Sequence, residues 1–135
     1  MIALGEFQVE LKPLDAYNQG GDGAQLGRVS IDKSFTGDLT ATSAGEMLSA
    51  WTSVKGSAGY VAIEQVSGLL AGKKGSFTLQ HFGIMAHGEN KLILEVVPDS
   101  ATEQLVGLSG TMAIIIESGK HLYEFEYEIA SADNS

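Results

Sequence analysis

The stretch "IIIESGKHLYEFEYEI" limits the fold more than any other part of this chain. Its second half alternates apolar and acidic residues with a period of two, the signature of a strand with one buried face, and Ser-Gly in the middle is a two-residue hairpin turn. A turn at Ser118-Gly119 pairs Glu117 with Lys120, Ile116 with His121, Ile114 with Tyr123 and Met112 with Phe125. Leu122, Glu124, Glu126 and Glu128 then face water, and Tyr123, Phe125, Tyr127 and Ile129 face inward.

The same reasoning orients "GSFTLQHFGIMAHGENKLILEVV", a strand with a histidine in the middle. A turn at Gly88-Glu89 pairs Met85 with Leu92, Gly83 with Leu94 and His81 with Val96, so His81 lies on the apolar face. Upstream, "GLLAGKKGSF" turns at Lys73-Lys74 or at Gly72-Lys73. Both choices put Tyr60, Ala62, Glu64 and Val66 on the face of Phe77, Leu79 and His81, with Glu64 opposite or diagonal to His81. A three-residue loop would reverse that facing.

Elsewhere, short β-branched or alternating runs are cut by Gly, Asp, Ser or Lys pairs, and no segment keeps a helical period for three turns. The pattern predicts eight strands, from "ALGEFQVEL" to "KHLYEFEYEIA", with "LVGLSGTMAIIIE" as the seventh. Strands this long in meander order suit a closed up-and-down antiparallel barrel, which removes its own sheet edges; a two-sheet sandwich is the competing arrangement. The 135 residues are expected to form one all-β domain, residues 1–135, with "NQGGDGAQLG" as a flexible insert and "SADNS" as a frayed tail. Glycines at 83 and 110 on the inward face favour a hollow interior.

Composition narrows the partners. A formal charge of −9 repels phosphate backbones and anionic lipid surfaces, so neither nucleic acid nor a membrane is expected. With no cysteine there is no disulfide framework, thiolate metal site or thiol nucleophile. "MIALGEFQVELKP" lacks the basic and apolar regions of a signal peptide, no apolar run reaches membrane-spanning length, and a cytoplasmic location is the expectation.

The runs "GEMLSA", "GSAGYVAIEQVSG", "GSFTLQH", "VVPDS" and "LVGLSGTM", between about Gly27 and Tyr127, resemble a bacterial family of uncharacterised proteins related in fold to the allene oxide cyclases. The resemblance implies a closed, eight-stranded, calycin-like meander barrel and no established reaction. Allene oxide cyclase closes an unstable fatty-acid epoxide in an apolar barrel, and the likeness to it is one of fold alone.

Two readings follow for Glu64 and His81. A carboxylate beside an imidazole in an apolar barrel shifts each other's titration and suits acid–base work; the plain alternative is a buried pair that stitches two strands. Around them, Tyr60, Leu79, Met85, Leu94, Met112, Tyr123, Phe125 and Tyr127 are expected to line a cavity for a small, largely apolar ligand. Tyr60 could instead be an ordinary core tyrosine. The competing activity is an isomerase or cyclase with Glu64 and His81 as its proton-transfer pair, and a plugged, purely structural barrel is a third outcome. Glu46 is undecided in facing, Trp51 is expected to pack near a strand end, and His87 to sit solvated in a turn.

No cofactor or metal site is expected, since three histidines without paired spacing make no recognisable ligand set; Glu64, His81 and His121 are the one combination worth checking. On the outward face, Val61, Ile63, Phe82, Ile84, Ile93 and Val97 form an apolar area large for a monomer. It predicts a homo-oligomer, a dimer before a trimer.

Overall fold

The computed structural model describes residues 1–131, so most of the tail predicted to fray lies outside the described residues. The strands are β1 (Ile2–Leu14), β2 (Gly20–Gly21), β3 (Ala24–Gly37), β4 (Leu39–Thr52), β5 (Ala58–Leu70), β6 (Lys73–Ala86), β7 (Glu89–Val96), β8 (Leu108–Glu117) and β9 (Lys120–Ile129). Consecutive strands pair antiparallel from β3 through β9, and β1 joins both β9 and β3, which closes the sheet into an eight-stranded barrel. The two-residue β2, from the glycine-rich insert, is an appendage on β3.

Three tight hairpins set the register. Their central residues are Ala71-Gly72, His87-Gly88 and Ser118-Gly119, each pair with positive φ at both positions, which matches the right-handed twist of the flanking strands and explains glycine in second place. The last hairpin pairs as its sequence predicts. The other two turn earlier than expected: Leu70 meets Lys73 and Ala86 meets Glu89, so His81 sits opposite Ala62 and Leu94 rather than Val96, and Glu64 is diagonal to it, opposite Leu79. Both registers slip by an even number, so every side chain keeps its predicted face.

The interior divides into two halves. One end is packed solid by Phe35, Phe77, Tyr123, Phe125 and Tyr127, all buried. Phe125 stacks between Phe77 at 5.7 Å and Tyr127 at 5.3 Å, and Tyr123 meets Phe35 edge-on. The segment between β7 and β8 closes this end. Thr102 bonds the backbone of Ser76 through both its amide and its hydroxyl, and Leu105, in the short 3-10 turn Glu103–Leu105, drops into the core. The seventh predicted strand therefore begins three residues late, at Leu108, because Leu105 serves as this plug.

The glycines at 83 and 110 do not hollow the barrel. The ring of Tyr60, cross-strand partner of Gly83, lies where a Cβ at 83 would be, only 2.3 Å from it, and a Cβ at Gly110 would meet the carbonyl oxygen of Glu126 at 2.4 Å and the Cα of Tyr127 at 2.9 Å. Gly83 makes room for an aromatic ring and Gly110 for the neighbouring backbone. The empty space is at the other end of the barrel.

Candidate functional site

Between the two halves lies a layer of polar groups. Period-two alternation in "VSIDKSF" turns Lys33 inward between Ile31 and Phe35, and on β4 it turns Ser43 inward. Both converge on Glu64, which is completely buried. Its Oε2 accepts from Lys33 Nζ at 2.8 Å and from His81 Nε2 at 2.6 Å, and its Oε1 accepts from Ser43 Oγ at 2.9 Å. Lys33 Nζ also lies over the ring of Phe7, 4.9 Å from its centre. On the far side of the imidazole, Tyr60 Oη approaches His81 Nδ1 at 3.4 Å.

Burial by itself would raise the pKa of Glu64. The hydrogen bond from His81, with the charge and hydrogen bond of Lys33, outweighs it and holds the carboxyl at about 2, well below its ordinary 4.5. The phenol of Tyr60 moves the other way, raised by burial and then by the negative charge of Glu64, and stays protonated. Among the described residues no buried side-chain nitrogen or oxygen lacks a partner. The layer is thus a satisfied network rather than a strained one.

Above this layer a cavity of about 390 Å³ opens to the barrel mouth. Inward residues of six strands wall it, chiefly Leu11, Val29, Met47, Met85 and Leu92, with Trp51 at the rim and Tyr60 reaching down toward His81. The size falls within the range of small-molecule sites, and the wall is apolar with few polar groups. The connections 15–23 and 53–57 and the tight turn at 87–88 contribute no residue to the cavity wall.

The predicted site residues separate accordingly. Glu64 and His81 are in direct contact, and Tyr60 and Met85 border the cavity. Leu79, Leu94, Met112, Tyr123, Phe125 and Tyr127 do not: they are buried in the packed core and are not part of the cavity wall. They share the face predicted for them but lie at another height along the barrel, a coordinate that strand parity does not carry. Tyr123 instead ties the turn after β3, donating to Thr36 O at 2.7 Å and accepting from Leu39 N at 2.9 Å.

Lys33 is the residue that sequence reasoning missed. The signal was present as a lysine at an inward parity between two large apolar residues. Leu11, Val29, Met47 and Leu92 were missed as wall residues, and Trp51 proves to be a rim residue, 60% exposed. Glu46 points outward and pairs with Arg28. His121 packs against Phe7 with the rings tilted, and among the described residues no group of three or more His, Cys, Asp or Glu side chains is placed to hold a metal.

Outside the barrel, Leu48, Val61, Phe82 and Ile93 are direct cross-strand partners on β4 to β7, each roughly half exposed. Ile63 and Ile84 flank the row and are exposed too. Val97 departs from the prediction: it lies past the end of β7, half-buried, with its amide bonded to Thr78 O. No helix among the described residues is long and apolar enough to cross a membrane.

A family model described as a protein of unknown function (DUF3224) matches residues 3–127. The crystal structure of a protein of unknown function from Shewanella oneidensis, assigned to the same family, is 58% identical and superimposes with a TM-score of 0.95 over 98% of each chain. Among curated proteins none matches.

Proposed function

We propose that this chain, which belongs to the DUF3224 family of proteins of unknown function, binds a small, largely apolar molecule in the open half of its barrel. The observation that carries the reading is the cavity of about 390 Å³, walled largely by aliphatic and thioether side chains, with Tyr60 as the member of the Tyr60–His81–Glu64–Lys33 network that borders it. Apolar walls supply affinity without direction, and a few fixed polar groups supply orientation. Tyr60, held from behind by His81 and Glu64, serves in this reading as the orienting group. The packed half supplies the stability that lets the other half stay vacant.

Binding of an apolar fluorescent probe such as N-phenylnaphthylamine tests it. Met47→Trp, which fills the cavity from its wall, is expected to abolish binding, whereas Phe82→Glu on the outer surface leaves it intact. Equal binding by wild type and Met47→Trp would refute the assignment. Extraction of the protein as isolated, followed by mass spectrometry, should then recover the natural occupant.

A further inference from the structure

We propose that the occupant of this cavity carries a hydroxyl group, presented to Tyr60 as a hydrogen-bond donor; the inference deepens the cavity reading above and rests on it. Each hydrogen bond, followed outward from Glu64, has one permitted direction.

An ionised carboxylate only accepts. Lys33, Ser43 and His81, all within hydrogen-bond distance of Glu64, must therefore donate, and His81 does so through Nε2–H. One lysine cation already balances the one carboxylate, so a neutral imidazole leaves this buried cluster without net charge. With its proton on Nε2, that imidazole has a lone pair on Nδ1, and the group facing it at 3.4 Å is the Tyr60 hydroxyl. A phenol has one proton. Once given to Nδ1, it leaves only oxygen lone pairs to face the cavity that Tyr60 borders.

The floor of the cavity is therefore an acceptor. A ligand bearing only a carbonyl or ether oxygen would set lone pair against lone pair, or would have to take the Tyr60 proton and leave Nδ1 of a largely buried imidazole unpaired. A hydroxyl on an apolar body completes the chain with every bond pointing one way, toward Glu64. Gly83 belongs to the same device, since its missing Cβ lets the Tyr60 ring lie against the wall and hold its oxygen toward His81.

Two isomers separate donor from acceptor at constant composition: n-octanol and heptyl methyl ether. Binding is followed by calorimetry and by the fluorescence of Trp51, the single tryptophan and a rim residue of the cavity. Wild type is expected to hold octanol about fivefold more tightly than the ether, the discrimination one net hydrogen bond supplies. Tyr60→Phe, which keeps the ring and removes the oxygen, should bring the two to equal affinity by weakening octanol alone. Ether binding as tightly as octanol in wild type would overturn the donor assignment and leave the cavity reading standing. An octanol preference that survives in Tyr60→Phe would overturn it too, by placing the discrimination elsewhere. If neither isomer binds, the cavity reading fails and this inference fails with it.

Discussion

Strands β1 and β3 to β7 wall both halves of the barrel, with the same alternation, yet below the Lys33–Glu64–His81 layer the interior is solid and above it the interior is open. The lower half stacks Phe77, Phe125 and Tyr127, sets Tyr123 against Phe35, and is sealed by Leu105. The upper half holds Val29, Met47, Met85 and Leu92, which are thinner, and has no plug. Aromatic volume and a cap, not strand geometry, decide which end is full. Stability and vacancy are thereby assigned to different parts of one sheet, and methionines, which adapt their shape, stand where an occupant would press.

The largest expected difference between the halves is in truncation. Phe125→Ala should cost about 3–5 kcal/mol by chemical denaturation, the usual figure for emptying a buried phenylalanine site. Met85→Ala at the open end should cost under about 1 kcal/mol, since its side chain already borders empty space. Similar costs for the two would remove the distinction between the halves.

The polar layer between them has its own signature in pH. The carboxyl of Glu64 is held at about 2 in the folded protein against an ordinary 4.5, so its stabilisation is fully present above pH 4.5 and is lost as the pH falls toward 2. The loss should be on the order of 3 kcal/mol. Urea titrations of wild type across that window should show it, and Glu64→Gln should flatten the profile there. An unchanged profile in Glu64→Gln would mean that other carboxylates govern acid unfolding.

A smaller effect is expected from Tyr123→Phe in the packed half. It orphans the buried amide of Leu39 and should cost about 1–3 kcal/mol without altering probe binding in the cavity. Smallest in stability, but informative about the open half, is Gly83→Ala. The added methyl displaces the Tyr60 ring into vacant space, so folding should change by about 1 kcal/mol or less while cavity binding falls. Loss of stability comparable to Phe125→Ala would show that the upper half is packed as tightly as the lower.

Much of this was readable in the chain. Alternation in "HLYEFEYEI" and the X-Gly turns determined the antiparallel hairpins, and parity alone put Glu64 and His81 on the inner face beside one another. The two misplaced turns did no harm to facing, because a slip by two residues exchanges partners and leaves the pleat unchanged. What parity could not carry was height along the barrel axis, and so six of the eight predicted lining residues belong to the packed core. Nor could it place Lys33 on Glu64, a contact that reaches over the intervening strand β4 beside Ser43. Which end is filled was settled by the fold of residues 97–107 over one mouth and by the seating of Tyr60 on Gly83. Local pattern determines which way a side chain points; the register and curvature of the barrel decide what it meets there, because curvature turns the inward side chains of non-neighbouring strands toward one another.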